Sequence, residues 1–251
     1  MNKLVLLHGA PGDGSLWKPV VDKLPADMHV ICPTLRWFGS DSWPDDGSGF
    51  GTAAHTEQLI ELLQAEADRP CAVAAWSYST HVLLHALIQR PDLISKAFLY
   101  EPGLNTYLGD EAAIEAFNAD AQAAFAPVAA ALRTHGAERA VEALFDSSGG
   151  TGCFRQMPEE RRRIYLASAP MMRLLMGGGQ PPVSITADDL SRIRTPVGRK
   201  TRPLFEIASR AVADAIPGAE LRVVDAADHM LPEKEPHAFA ALVDEWLNTG
   251  G

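Results

Sequence analysis

The sequence is poor in the residues that build disulfide frameworks, thiolate metal sites and membrane spans. It has three cysteines among 251 residues, Cys32, Cys71 and Cys153. They are too few and too scattered for a disulfide scaffold or a cysteine-ligated metal. No apolar run approaches the roughly 20 residues that a bilayer-spanning helix needs. We therefore expect reduced thiols in a cytoplasmic protein that needs no metal or cofactor.

Positive charge is also in deficit. Lysine and arginine total 22 against 32 acidic residues, which gives a net charge of −10 and an isoelectric point near 5.2. An acidic surface repels phosphate backbones and anionic lipids, so nucleic acid and membranes are excluded as expected partners. Because a strand-like run starts at Leu4, we expect no signal peptide. The expected partner is a small molecule, and the expected state is a monomer or homodimer.

Short apolar runs alternate with helical periodicity along most of the chain. The runs are too continuous for strands with one face in water, which is typical of a parallel sheet covered on both faces. Strand alternating with helix predicts an α/β fold with a mostly parallel central sheet flanked by helices. The predicted strands are Leu4–Leu7, Met28–Cys32, Cys71–Ala75, Ala97–Tyr100 and Leu221–Val224, and the predicted helices are Ser15–Leu24, Thr52–Ala67, Tyr78–Gln89, Pro203–Ala215 and Glu235–Leu247.

This alternation of strands and helices is interrupted between about residues 105 and 194. Three alanine-rich helical stretches follow one another there, separated by pairs and triplets of glycine and proline, and no strand of comparable quality occurs. We predict an all-helical insertion at 105–194 in a core formed by residues 1–104 and 195–251. The three stretches are Glu111–Ala131, Glu138–Phe145 and Glu159–Met176.

One serine lies between a buried strand and a helix. Ser77 has the small residues Ala75 and Ser79 two positions before and after it. A nucleophilic serine on a sharp strand-to-helix turn needs small neighbours at those positions, because strand and helix crowd there. Glycine is usual at both, and its absence leaves an alternative of comparable weight, in which Ser77 only caps the helix.

Two further segments favour the nucleophile. The loop after the first strand could aim the N–H of Ala10 at the serine, and with the N–H of Tyr78 it would form a two-donor oxyanion hole. Pro11 has no N–H and cannot be that donor. His229 follows the last predicted strand, from where a histidine can reach the serine as a base. A tight turn and a surface histidine are the alternatives for these two segments.

Together these residues resemble the α/β-hydrolase superfamily. The resemblance covers about Lys3–Leu104 and Thr195–Leu247 and includes the loop Leu35–Ser42, similar to the family's R-x-x-G-x-S, although Asp41 stands in place of that serine. It implies Ser77 as the nucleophile, His229 as the base, Ala10 and Tyr78 as the oxyanion hole, and the insertion as a helical cap. The chain departs from the family by opening directly on what resembles its third strand.

The family's acid normally follows the next-to-last strand, and the corresponding stretch here, 195–205, contains no carboxylate. Glu101, at the end of the strand after the nucleophile helix, is the best substitute. Haloalkane dehalogenases and zearalenone-type lactonases are similar in placing a glutamate there. The acid has to orient the His229 tautomer. A turn residue paired with an arginine is the alternative for Glu101, and Asp225 and Asp228 are weaker candidates.

Other motifs are incomplete. The glycines from Gly9 to Gly14 have the spacing of a phosphate-binding loop, but Ser15 stands where lysine is required, and a third dinucleotide-type glycine is missing. Ser15–Lys18 matches a β-lactamase motif whose partner motifs are wrongly spaced. His81 and His85 share a helix face without a third ligand, which favours a polar helix face over zinc.

We expect a cofactor-free serine hydrolase that cleaves a small-to-medium hydrophobic ester or lactone through an acyl-enzyme. The alternatives are a carbon–carbon bond hydrolase or a perhydrolase with the same residues, or a catalytically silent binding protein of the same fold. Large apolar residues on loops and in the insertion are expected to line the substrate pocket. They are Trp17, Trp37, Trp76, Met171 and Met172.

Overall fold

A parallel sheet forms the centre of the protein. The computed structural model describes residues 3–66, 69–190, 203–222, 224 and 227–248. Within them the sheet has four strands, all parallel, in the order β2-β1-β3-β4. The α/β fold class predicted from the sequence is confirmed. The strands are β1 Lys3–Leu7, β2 His29–Ile31, β3 Cys71–Trp76 and β4 Ile94–Tyr100.

Helices connect the strands and fill the predicted insertion. No strand occurs among residues 105–190, so the all-helical character of this stretch is confirmed there, while its predicted boundary at 194 lies outside the described residues. The helices are α1 Lys18–Val21, α2 Thr52–Ala65, α3 Tyr78–Gln89, α4 Glu111–His135, α5 Ala137–Gly149, α6 Cys153–Gln156, α7 Glu159–Ala167, α8 Ala187–Leu190, α9 Pro203–Ala215, α10 Leu231–Lys234 and α11 Pro236–Asn248.

Alternate residues of each strand face two separate hydrophobic clusters. Leu4 and Leu6 of β1 pack with Trp17 and the α11 residues on one side, whereas Val5 and Leu7 pack with α2, α3 and α9 on the other. All four leucine and valine side chains are fully buried. This burial on both faces explains why the strands read as continuous apolar runs.

The fifth predicted strand is not found in the part that the structure describes. Leu221, Arg222 and Val224 are not in a strand, while Val223 and Asp225 lie outside the described residues. The carboxylate-free stretch 195–202 also lies outside them, and Pro203–Phe205 begins helix α9. Among the described helices, none is both long enough and apolar enough to span a membrane.

Three buried histidines hold the loops around the carboxyl end of the sheet. The Nε2 atom of His8 accepts from the N–H of Leu35 (3.0 Å). His55 and His81 each donate from Nε2 to a backbone carbonyl, and each accepts at Nδ1 from a tyrosine hydroxyl, that of Tyr78 for His55 and that of Tyr107 for His81. Burial lowers the pKa of each histidine from 6.5 to about 4. All three are therefore neutral at pH 7, with both ring nitrogens in use.

The turn at Gly14 leaves no room for a side chain. A Cβ atom there would lie 2.1 Å from the carbonyl oxygen of Cys32. We predict that Gly14→Ala lowers the free energy of unfolding by about 1–3 kcal/mol, as overpacking does elsewhere. Gly109 is the matched control, because a Cβ there meets no atom within 4 Å, and Gly109→Ala should change stability by about 1 kcal/mol or less. The urea unfolding midpoints of the two variants test this prediction. Equal midpoints would contradict the packing described here.

The buried histidines predict a pH dependence of stability. Their pKa values of about 4 lie below the 6.5 of the unfolded chain, so the unfolded state binds more protons between pH 4 and 6.5. The contribution of these histidines to the free energy of unfolding should be complete above pH 6.5 and should be lost as the pH falls towards 4. Each histidine contributes a slope of up to about 1.4 kcal/mol per pH unit. His55→Gln should reduce the measured slope by one histidine's share, and an unchanged slope would contradict this prediction.

Candidate active site

Three segments converge at the carboxyl end of the parallel sheet. Ser77 follows β3, Glu101 follows β4, and the loop beginning at His8 follows β1, which neighbours β3. The N–H of Ser77 donates to the carbonyl of Tyr100 (2.9 Å) and so joins the ends of β3 and β4. Carboxyl ends of parallel strands are where open α/β sheets bind ligands.

The backbone at Ser77 is bent sharply. Its φ of 57° and ψ of −117° lie in a region that residues with side chains rarely adopt. The hydroxyl of the fully buried Ser79 donates to the carbonyl of Leu7 (3.0 Å), which fixes the turn to β1. The side chain of Ser77 makes no capping hydrogen bond to helix α3. The alternative that Ser77 is only a helix cap is therefore wrong.

His229 bridges Ser77 and Glu101. Its Nε2 atom lies 3.0 Å from the Oγ atom of Ser77, and its Nδ1 atom lies 2.6 Å from Oε2 of Glu101. The carboxylate accepts from Nδ1–H, so Nε2 is left as an acceptor for the serine hydroxyl. The carboxylate of Asp228, in contrast, accepts from the N–H of Met230 and pairs with Lys234. The structure thus brings together the three residues that the sequence analysis grouped.

Glu101 is held in an unusual backbone conformation. Its φ is 60°, and Ser77 and Trp37 are the other described non-glycine residues with positive φ. Its side chain is completely buried. A buried carboxylate in the described contact with His229 favours the imidazole tautomer that has its proton on Nδ1.

Packing fixes the imidazole of His229. The ring of Phe205, in α9, lies parallel to it with a centroid distance of 4.0 Å. The indole N–H of Trp76 donates to the backbone carbonyl of His229 (2.9 Å). Phe205 was missed by the sequence analysis because an aromatic residue on the apolar face of a helix gives the same pattern whether it packs in a core or on a catalytic ring.

The loop after β1 approaches the serine closely. A Cβ atom at Gly9 would lie 3.3 Å from Cβ of Ser77, so glycine allows the loop to pack against the turn. Ala10 and Tyr78, the predicted oxyanion donors, both line the cavity beside Ser77. Tyr78 is the first residue of α3, so its N–H has no acceptor within the helix.

A cavity of about 490 Å³ opens at Ser77 and His229. Among its described lining residues none is an aspartate, glutamate, lysine or arginine. His81 lines it as well, but its ring is buried and neutral, which corrects its interpretation as part of a polar helix face. Most of the wall is apolar and comes from the 50–52 turn, α4, α5, the 174–182 segment and α9. The apolar residues that these segments contribute are Phe50, Phe125, Leu144, Phe145, Leu174, Leu175, Met176, Pro182 and Phe205.

Of the five predicted pocket residues, only Trp76 lines this cavity. Trp17 is fully buried and stacks on Phe239 (5.5 Å), so it belongs to the core beneath the sheet. Trp37 donates its indole N–H to Asp45 (2.8 Å) and lines a separate recess of about 230 Å³. Met171 and Met172 are fully buried in the core. Loop position and apolar character therefore predicted these four wrongly.

The described residues contain no group of three or more histidine, cysteine, aspartate or glutamate side chains that could hold a metal ion. Cys71 and Cys153 are buried, and Cys32 is half-buried. Burial raises the pKa of Cys153 and raises that of Cys32 to about 11. The thiols of Cys32 and Cys153 are therefore protonated at neutral pH.

Comparisons with known proteins find similar sequences and similar folds. A pimeloyl-[acyl-carrier protein] methyl ester esterase from Vibrio atlanticus is 31% identical over 100 residues, a match that covers 37% of this chain and 33% of the relative. The solved structure of a thermophilic esterase from Thermogutta terrifontis has a TM-score of 0.73 at 21% identity, over 98% of this chain and 89% of that one. MenH from S. aureus has a TM-score of 0.75 at 20% identity, over 98% and 93%.

At these identities the solved structures show a shared fold. The match to the family profile shows more than a shared fold, because it extends over residues 4–242, almost the whole chain. That range includes all three residues of the hydrogen-bonded Ser77–His229–Glu101 group and the cavity beside it. The chain belongs to the alpha/beta hydrolase family.

Proposed function

We propose that this protein is a serine hydrolase that cleaves small-to-medium hydrophobic esters or lactones through an acyl-enzyme. The observation that carries the proposal is the hydrogen-bonded series Ser77–His229–Glu101 at the wall of a cavity whose described lining residues include no aspartate, glutamate, lysine or arginine. A nucleophile, a base within hydrogen-bond distance and a group that orients the base are the requirements for acyl transfer. The esterase relative from Vibrio atlanticus supports ester chemistry.

The first half of the reaction forms the acyl-enzyme. The Oγ atom of Ser77 attacks the acyl carbon while its proton passes to Nε2 of His229. Negative charge develops on the carbonyl oxygen, where the N–H groups of Ala10 and Tyr78 stabilise it. Collapse of the tetrahedral intermediate breaks the bond to the alcohol oxygen, which leaves with the proton from His229. Glu101 stabilises the transient imidazolium.

The second half repeats these steps with water. His229 takes a proton from the water as its oxygen attacks the acyl carbon, and the proton then goes to the Oγ atom of Ser77 as the bond to the serine breaks. The net reaction converts ester and water into acid and alcohol, and a lactone gives a hydroxy acid. The described wall residues are mostly apolar and include no lysine or arginine, which favours uncharged acyl groups, because a buried carboxylate is costly without a partner.

Ser77→Ala should abolish turnover of p-nitrophenyl butyrate and hexanoate, with kcat lower by about 10⁶-fold, because a unit of this kind loses its chemistry with its nucleophile. The same variant should no longer react with a fluorophosphonate probe. Ser40→Ala, at an exposed position outside the cavity, is the control and should retain both activities. Retained ester turnover by Ser77→Ala would falsify the assignment. Probe labelling of Ser77 without turnover of any ester or lactone would instead favour carbon–carbon bond hydrolysis.

Glu101→Gln should slow ester turnover by about 10⁴-fold, because an amide favours the wrong histidine tautomer and cannot stabilise the imidazolium. Glu57→Gln, an exposed change on helix α2, serves as the control of equal chemistry. Steady-state kinetics of the folded variants provides the comparison. A rate within a few-fold of the parent for Glu101→Gln would show that the reaction needs no acid at this position.

A further inference from the structure

A largely buried ion pair links the helical insertion to the segment that carries His229. We call residues 105–190 the cap segment and residues 228–234 the His229 segment. Arg161, in α7 of the cap segment, donates from Nε and Nη2 to the two carboxylate oxygens of Glu233, both at 2.6 Å. The side chains are 12% and 5% exposed, which makes this the most buried arginine or lysine pair with a carboxylate in the part of the chain that the structure describes.

Two further contacts make this group rigid. Arg161 also donates from Nη2 to the carbonyl of Leu16 (3.0 Å), in the turn just before α1 of the core. The hydroxyl of Tyr165, one turn along α7, donates to Oε2 of Glu233 (2.5 Å). Burial and the neighbouring carboxylate raise the pKa of Tyr165 well above 10, so the hydroxyl keeps its proton. Glu233 is thus held from two positions on one cap helix.

The position of Glu233 is transmitted to His229 through one short helical turn. Glu233 and Lys234 donate their N–H groups to the carbonyl of Met230, and Leu231 donates to the carbonyl of Asp228. Met230 also lines the cavity. On the core side, Trp76 and Tyr100 bind the backbone carbonyls of His229 and Asp228. The His229 segment is therefore fastened to the core at one end and to the cap segment at the other.

The energetics of such a pair favour a geometric role. The free energy needed to remove two charges from water is about as large as the attraction between them. A buried pair therefore adds little stability compared with apolar side chains of the same size. A bidentate arginine–carboxylate pair instead fixes distance and orientation. An apolar contact at Glu233 would permit the short helical turn to slide, whereas the forked pair does not.

We infer that Arg161 and Glu233 are positioning residues that fix the imidazole of His229 between Ser77 and Glu101, with the cap segment as their support. The inference rests on the proposed function only in that Ser77 reactivity is one of its two readouts. The other readout is the hydrogen bond between His229 and Glu101 itself. A displaced imidazole would lose alignment with both of its partners, and misplacement by about 1 Å can cost on the order of 10²-fold in rate.

The test compares three variants of the whole protein. Glu233→Gln removes one charge and leaves Arg161 buried without its partner. The double variant Arg161→Met/Glu233→Gln removes both charges, so it avoids the lone buried charge and should recover stability. Glu142→Gln, which breaks an ion pair with Arg139 and Arg155 inside the cap segment, is the matched control. Each variant is measured for its unfolding midpoint, its rate of fluorophosphonate labelling per folded molecule, and the low-field proton NMR signal of the His229 Nδ1–H.

We expect labelling to be about 10- to 100-fold slower in Glu233→Gln and in the double variant, with the low-field signal broadened or lost in both. The signal is assigned by its disappearance in His229→Gln. Glu142→Gln should keep the parent's labelling rate and signal. The double variant separates positioning from stability, because its unfolding midpoint should recover while its labelling rate does not.

Two results would overturn the inference. One is a double variant that recovers both stability and labelling rate, since the pair would then contribute only to folding. The other is a low-field signal and labelling rate unchanged from the parent in folded Glu233→Gln. If Glu233→Gln does not fold, the labelling rate and the low-field signal of the double variant alone test the inference. If the parent protein itself is not labelled, the proposed function fails, and the NMR signal of parent and double variant still decides whether the pair positions His229.

Discussion

The hydrogen bond between Nδ1 of His229 and Glu101 is the interaction on which the rest of the site depends. It joins a strand end to a segment 128 residues away in the sequence, and it determines which ring nitrogen faces Ser77. Both partners are buried, so the bond forms in a medium where it is stronger than in water and where an unpaired carboxylate would be costly. The unfavourable φ angles of Ser77 and Glu101 are retained at the two points where the chain must turn towards this histidine.

In the proposed reaction, the hydrogen-bonded group and the cavity have different roles. The group would supply the nucleophile and the proton transfer, and the wall would supply shape, since its described residues include no aspartate, glutamate, lysine or arginine. The neutral state of His81 keeps this part of the wall uncharged. Its ring is compatible with an apolar cavity because burial lowers its pKa and both ring nitrogens are hydrogen-bonded. The cap segment contributes twice: helices α4 and α5 form part of the cavity wall, and α7 holds Glu233.

The fold class and the positions of Ser77 and His229 could be predicted from the sequence, because they depend on local signals. Ser77 is marked by the strand before it, the helix after it and the small residues on either side. His229 and Glu101 follow apolar runs at the ends of predicted strands, and Glu101 also needed the resemblance to a family. The pocket could not be predicted in the same way. Met172 and Met176 have the same residue type in the same stretch, yet only Met176 reaches the cavity.

The remaining misses have the same physical origin. Trp17 packs against Phe239 of α11, and Phe205 packs against His229. Both contacts depend on how distant helices pack on the sheet, and helical periodicity in one segment does not contain that information. The Arg161–Glu233 pair is equally invisible in the sequence, because charged residues in helices usually face solvent.

The most direct test of the account is a crystal structure of the protein after reaction with a fluorophosphonate. We expect phosphorus bonded to the Oγ atom of Ser77, with the phosphoryl oxygen within hydrogen-bond distance of the N–H groups of Ala10 and Tyr78 and with His229 still hydrogen-bonded to Glu101. An adduct on another residue, or a phosphoryl oxygen turned away from both amides, would contradict it.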